Sequence, residues 1–381
     1  MTTSNSKKKI SVYLYIGNHL HAEAVDDFVD IVTKIFKPQS DIKFSVGKEF
    51  RSDADIVFII EEFSRRKTGQ LLREAKTASI KPIYILIATE FITQTFYYKT
   101  YNNFYGFWGS CVLASLRPFA RIYCGQFSKS TILEFIFFPF LSALTTLFLI
   151  GKVVSGQIHS LKRFLRQIFY FDVRYLEFLA IADNFDYFLA AHDLIEQQLH
   201  KELPGKECIA VLCPLLSEKK LNVTDFNSTD VINVKMSGNL TSYRFEQLKR
   251  FKQWFENNFS QKLKIVTRDF KKQDSVGTQF DFTFNPPQSH NWLYSSPMRI
   301  YRSIEINSAI PIVTKKFNQS EIEKIPIVLN FESINGSVPH KVEFQKSIKD
   351  IGVRIRNYNS VVKGASEKLV RRLRAIVVGR E

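Results

Sequence analysis

An α/β fold in two Rossmann-like halves, the first carrying an apolar helical insertion, is predicted by three features of the sequence. Over the first ninety residues, near-continuous apolar runs of strand length alternate with amphipathic stretches. The same rhythm restarts after a polar link at Ser217–Asp230. Between the two lies an aromatic, apolar stretch from Phe91 to Tyr175, with seventeen consecutive uncharged residues at Phe135–Gly151. Strands covered on both faces of a parallel sheet read as unbroken apolar runs, and their crossovers as amphipathic helices.

Taken in order, Ile10–Ile16 is a β-rich run ending in Gly17-Asn18-His19. His21–Phe36 places Val25, Phe28, Val29, Val32 and Phe36 at helical spacing, with acids opposite. Ile56–Ile60 and Ile83–Ala88 are the buried strands, and Ser64–Ser79 is the solvated helix between them. Beyond the insertion come a helix at Lys162–Ala182, a strand at Tyr187–Ala190, a helix at His192–Glu202 and a strand at Cys208–Leu212. The second half opens with a strand at Val231–Val234, the loop Ser237-Gly238-Asn239, and a helix from Thr241 or Ser242 to Asn258. Lys262–Val266, Phe280–Phe284, Ile310–Val313 and Ile325–Leu329 are its further strands, and Ser296–Asn307 is a helix between two of them. Gly364-Ala-Ser precedes a last basic helix, Glu367–Val377. The expected domains are residues 1–220, with the insertion around 91–160, then 221–355, and a basic terminal helix over 356–381.

With 381 residues, 45% of them hydrophobic, the chain fills real cores, which excludes a disordered or fibrous protein. A net charge of +16 calls for an anionic partner: a phosphate-bearing ligand, a polyanion or a membrane surface. Cys111, Cys124, Cys208 and Cys213 form no CxxC pair and no zinc-ligand spacing, so a reducing compartment and no bound metal or cofactor are expected. The basic start runs into an apolar segment of only seven residues, too few for a signal-peptide core, and reads as cytosolic.

The stretch Ser295-Ser-Pro-Met-Arg-Ile-Tyr-Arg-Ser-Ile-Glu-Ile-Asn-Ser-Ala-Ile-Pro-Ile-Val-Thr314 resembles the donor-site helix and following strand of GT-B glycosyltransferases. Asp183–His192 is similar to the last strand and turn of a GT-B N-terminal domain, and Lys235–Arg244 to the loop and helix that open its C-terminal domain. The resemblance covers Asp183–Leu329 and extends to the first ninety residues by pattern alone. It implies two Rossmann-like domains facing a cleft, a nucleotide-sugar donor and a glycan or lipid-linked acceptor. The chemistry suits those residue types: charge builds on the leaving diphosphate, and arginines and helix N-termini stabilise it. Ser296 and Pro297 open the helix, Arg299 and Arg302 follow three apart, and Glu305 continues their face toward ribose hydroxyls. Tyr301 belongs to the same segment; Ser237, Gly238, Lys235, Arg244 and Arg268 are further donor-binding candidates.

The retaining enzymes' glutamates eight apart have no counterpart, since Pro297 and Val313 flank Glu305 at that distance. The turn Asn307-Ser308-Ala309 also lacks the glycine usual in relatives. Stereochemistry stays open, with a lean toward inversion and its single general base. His19 at the tip of the first strand is the candidate, with Glu61, Glu62 and Glu90 at later strand ends as rivals.

Phe135–Gly151 reaches the low edge of a membrane-spanning length. One crossing would place the two halves on opposite sides of a bilayer, so an interfacial segment, or one paired with Tyr101–Leu116, is expected. Lys152, Lys162, Arg163 and Arg166 follow it and suit an anionic membrane surface, on the inner face of the cytoplasmic membrane. The competing interpretation of the segment is a buried core helix. The competing function is a non-catalytic basic α/β protein that holds a polyanion or nucleic acid. No RNP-type, helix-turn-helix or zinc-finger pattern supports it, and basic residues cluster only at Lys368, Arg371, Arg372 and Arg374.

Overall fold

The computed structural model describes residues 9–17, 22–60, 68–75, 81–89, 129–156, 181–191, 193–212, 214–217, 229–236, 240–267, 279–287, 297–315, 320–331 and 340–379, with isolated positions at 111–122, 178–179 and 221. It is an α/β protein with two separate parallel sheets. The chain divides into two compact units: Met1–Val25, Phe36–Val211 and Arg371–Glu381 form the first, and Asp26–Ile35 with Leu212–Val370 the second.

The first sheet has six parallel strands in the order β2-β1-β3-β4-β5-β6. They are β1 (Ile10–Tyr15), β2 (Ile42–Gly47), β3 (Ile56–Ile60), β4 (Ile83–Ala88), β5 (Tyr187–Ala190) and β6 (Glu207–Val211). Every residue of β3 and β4 is buried, as their unbroken apolar text requires. β2 is the strand the sequence reading leaves unassigned. It lies at the sheet edge and buries only Ile42, so it lacks the apolar run that marks the central strands. Around the sheet stand α1 (Ala22–Phe36), α2 (Thr68–Ala75) and α4 (Asp193–Glu202). Phe36 closes α1 onto the sheet, its ring 5.4 Å from Phe58 and 5.9 Å from Phe44.

The insertion contributes α3 (Lys129–Val154), 26 residues with Pro139 inside. Many of its apolar side chains are out in solvent: Phe137 is 60% exposed, Phe140 66% and Leu147 63%. The buried-core interpretation of this segment therefore fails. Phe119 packs edge-on against Phe135 and Phe138, and Arg121 pairs with Glu134 at 3.0 Å, so one flank of α3 is held. The expected helix at Lys162–Ala182 lies mostly outside the described residues; 178–179 and 181–182 are helical.

The second sheet has five parallel strands, β7 (Val231–Met236), β8 (Lys262–Val266), β9 (Phe282–Phe284), β10 (Ile310–Val313) and β11 (Ile327–Val328), in the order β11-β10-β9-β7-β8. Its helices are α5 (Ser242–Asn258), α6 (Pro297–Glu305) and α7 (Lys341–Lys349). The last helix, α8 (Ile351–Val378), begins sixteen residues before the expected Glu367. Gly364, read as a boundary, sits in its interior, where a Cβ would meet nothing within 4 Å.

The two sheets repeat one design. Taken from its own first strand, each runs 2-1-3-4-5, and the first sheet adds a sixth. The N-terminal edge is stapled alike in both. Asp55, just before β3, accepts from the Ser11 N–H at 2.7 Å, and Asp281, just before β9, accepts from the Asn233 N–H at 2.7 Å. Asp186, before β5, does the same for the Tyr84 N–H at 2.9 Å.

Candidate functional site

In the order 2-1-3-4-5 the crossovers leave to opposite sides between the first and third strands, and the carboxyl ends there are the ligand-binding edge of open α/β sheets. In the second sheet this point lies between β7 and β9. Alternation along β9 assigns the flanking helices to its two faces. Phe284 stacks on Phe251 of α5 at 4.7 Å, whereas Thr283 meets Ser303 of α6 at 2.5 Å. The N-terminal turns of α5 and α6 carry Arg244 and Arg299.

Arg244 is the third residue of α5. Its N–H is capped by the Thr241 hydroxyl at 3.2 Å, and its side chain is 1% exposed. The guanidinium Nε donates to the carbonyls of Pro286 and Pro287, at 3.0 and 3.3 Å, just past the end of β9. Burial, with the neighbouring Arg299 charge, pulls its pKa down to about 9. It remains a cation at neutral pH. Two arginines thus share one field beside helix N-termini, whose dipoles also favour negative charge.

A chain of hydroxyls runs from α6 to the end of β9. The Ser303 hydroxyl donates to the Arg299 carbonyl at 2.6 Å, and the Thr283 hydroxyl donates to Ser303 Oγ. Asn285 Nδ2 donates to Thr283 Oγ1 at 3.1 Å and Ser303 Oγ at 3.3 Å. Asn285 is 8% exposed and Thr314, just after β10, is 2% exposed. Asn285 Oδ1 and Thr314 Oγ1 are buried with no hydrogen-bond partner among the described residues. Leaving such an atom unsatisfied costs about 1–3 kcal/mol. Both sit at the carboxyl ends of adjacent strands. The sequence reading passes over Thr283, Asn285, Ser303 and Thr314. The available signal was Asn285-Pro286-Pro287 directly after an aromatic strand.

The chain matches no known protein-family model and no curated protein sequence.

The candidates from the donor-like helix fall into two groups. Arg299 stands with Arg244. Tyr301, Arg302 and Glu305 instead engage the Asp26–Ile35 segment of α1, which belongs to the same unit. Arg302 Nε bonds both oxygens of Asp27, at 3.0 and 3.1 Å. The Tyr301 hydroxyl donates to Asp30 and accepts from Lys34 Nζ at 2.9 Å. Glu305, 7% exposed, accepts from Lys34 Nζ at 2.7 Å and from the Ser217 N–H. Burial raises the Asp27 carboxyl to about 6 even though the Arg302 guanidinium pulls it down. Burial and the bond to Asp30 push the Tyr301 hydroxyl well above its usual value. Burial alone lowers the Lys34 ammonium, but its bonds to Glu305 and Asp30 outweigh that and raise it.

Lys235 donates to Asn307 Oδ1 at 3.0 Å and lies over the Phe280 ring. Ser237, Gly238, Arg268, Ser296, His19, Glu61, Glu62 and Glu90 lie outside the described residues. Among the described residues, no three His, Cys, Asp or Glu side chains assemble as a metal site. At the end of α8, Arg374 makes a two-bonded pair with Asp41, both contacts 2.7 Å, and Arg372 pairs with Glu207.

Proposed function

We propose that the chain is a glycosyltransferase of the GT-B type, moving a sugar from a nucleotide donor to a membrane-associated glycan or lipid-linked acceptor. The observation that carries this reading is buried Arg244, which donates to the carbonyls of Pro286 and Pro287 at the switch point of the second sheet with the Arg299 charge in its field. Two cations in one field, each carried on the N-terminal turn of a helix, favour a ligand with adjacent negative charges, and a diphosphate has them. When the glycosidic bond breaks, charge gathers on the leaving nucleoside diphosphate, and preorganised arginines lower that barrier without reorganising. The second unit is then the donor domain and the first the acceptor domain. The general base is drawn from His19, Glu61 and Glu90, which follow β1, β3 and β4 in sequence. No metal or cofactor enters this reading.

The acceptor class is argued from α3. Residues Ile132–Gly151 form a 20-residue apolar stretch of helix, about 30 Å at 1.5 Å per residue, with an exposed flank that carries Ile136, Phe137, Phe140, Leu147 and Ile150. Lying in the interface on the cytoplasmic side, that surface buries apolar area beside the basic residues that follow it. The polyanion-binding alternative loses support from α8, where Arg372 and Arg374 are already matched by carboxylates.

Thermal shift with UDP, GDP and CMP, run beside single-stranded oligonucleotides, tests the reading. Stabilisation by one nucleotide supports it, and stabilisation by oligonucleotides alone overturns it. For the membrane part, wild type is expected to co-sediment with anionic vesicles. Replacing Phe137, Phe140 and Leu147 by Ser is expected to abolish most of that binding while thermal stability holds, because these side chains are already exposed.

A further inference from the structure

The hydroxyl chain beneath α6 has a fixed polarity, and its end is informative. The Arg299 carbonyl can only accept, so the proton of Ser303 Oγ is committed to it, at 2.6 Å. The short contact between Thr283 Oγ1 and Ser303 Oγ, at 2.5 Å, then requires the proton of Thr283. With that proton spent, Thr283 Oγ1 is an acceptor toward Asn285, and the amide atom facing it is the nitrogen, at 3.1 Å. The orientation of the Asn285 amide is therefore dictated by a backbone carbonyl three hydrogen bonds away. Thr283 lies two residues earlier on the same strand face, so turning Nδ2 back toward it sends Oδ1 onward. That direction is the carboxyl edge, where Arg244 holds the carbonyls of Pro286 and Pro287. This oxygen is buried and has no partner among the described residues, at the end of a side chain 8% exposed.

We propose that Asn285 Oδ1 is a ligand-reading acceptor: it takes a hydrogen bond from a ribose hydroxyl or base N–H of a nucleotide whose diphosphate rests on Arg244 and Arg299. The inference rests on the anion site of the proposed function and adds what that site lacks, a reason to prefer a nucleotide over a bare diphosphate. Arginines and helix N-termini attract any phosphate. A buried acceptor with a fixed direction selects for a donor group placed beside the phosphates, and it penalises ligands that leave it unmatched. Its role is specificity and positioning, because it touches the ligand away from the bond that breaks.

Calorimetric titration of the full chain with inorganic pyrophosphate, with UDP, GDP and CDP, and with the 2′-deoxy form of the best of them tests this. Wild type is expected to bind one nucleoside diphosphate about ten-fold tighter than pyrophosphate, or better. Asn285→Leu, similar in size and without an acceptor, is expected to erase most of that preference while pyrophosphate affinity stays unchanged. Loss of the preference in the 2′-deoxy ligand assigns the donor to the ribose, and its retention assigns it to the base or the 3′-hydroxyl. A nucleoside diphosphate bound no tighter than pyrophosphate overturns the inference and leaves the anion site standing. Binding of neither overturns both. Equal weakening of both ligands by Asn285→Leu reduces Asn285 to a structural role and also overturns the inference. If that variant does not fold, the wild-type ratio decides alone, a ratio near one being the contrary result.

Discussion

Arg299 and Arg302 stand three residues apart on one nine-residue helix, yet their surroundings are opposite in kind. Arg302 meets a carboxylate, Asp27, through Nε bonds of 3.0 and 3.1 Å. Arg299 lies within the field of another arginine, the buried Arg244. A guanidinium set on a carboxylate holds architecture, whereas two like charges in one field favour an anion between them. Helical spacing alone puts both on neighbouring positions of one face. What separates their roles is the element each meets: α1 for Arg302, and the N-terminal turn of α5 for Arg299.

The largest expected effect lies on the Arg302 side. Arg302→Met leaves the Asp27 carboxylate, whose side chain is 4% exposed, without its partner. Stability is expected to fall by about 3 kcal/mol, read from the urea midpoint, because an uncompensated buried charge remains. Nucleotide affinity of the folded variant is expected to stay within two-fold, on the order of measurement scatter and well under the ten-fold of 1.4 kcal/mol. A large loss of affinity at unchanged stability would break the comparison.

A smaller effect follows from the Asp27 titration. The folded-state pKa of about 6 lies above the ordinary 3.8, chiefly because of burial. The folded protein therefore binds this proton more tightly between roughly pH 4 and 6, and linkage makes the Asp27 contribution to stability decline as pH rises through that window. Wild type and Asp27→Asn, compared by urea unfolding at steps from pH 4 to 7, are expected to differ by that slope. Parallel curves would contradict the environment assigned to Asp27.

The smallest concerns the turn after α6. Ser308 adopts φ 52°, in the left-handed region that glycine occupies at little cost. Ser308→Gly is expected to stabilise the protein by up to about 1 kcal/mol in thermal unfolding. A loss of stability would show that the Ser308 side chain supplies more than the backbone strain takes away.

Much of the fold was legible because strands buried on both faces announce themselves in unbroken runs such as Ile56–Ile60 and Ile83–Ala88. β2 was not legible, since an edge strand of six residues with one buried side chain carries little apolar signal. The length of α8 was hidden by Gly364, a residue that marks helix ends by habit but is tolerated where nothing crowds it. The helix carrying Arg299, Arg302 and Glu305 was read in place, Pro297–Glu305 against the expected Ser296–Asn307. Its division of labour was not readable, because the deciding partners are remote in sequence: Arg302 and Asp27 are separated by 275 positions. Asn285 escaped for the same reason. Its meaning comes from Ser303, eighteen residues on, and from the carbonyl that Ser303 engages.

The central claim is that the Arg244–Arg299 pair, and not the Arg302–Glu305 end of the helix, receives the diphosphate. The most direct measurement is the equilibrium affinity for UDP and GDP of wild type, Arg299→Met and Arg302→Met, each shown to be folded under the assay conditions. The account predicts that Arg299→Met weakens binding of the preferred nucleotide by about 1.5–3 kcal/mol, the worth of a charge-assisted hydrogen bond, with Arg302→Met near wild type. The reverse ranking, or equal affinity in all three proteins, would contradict it.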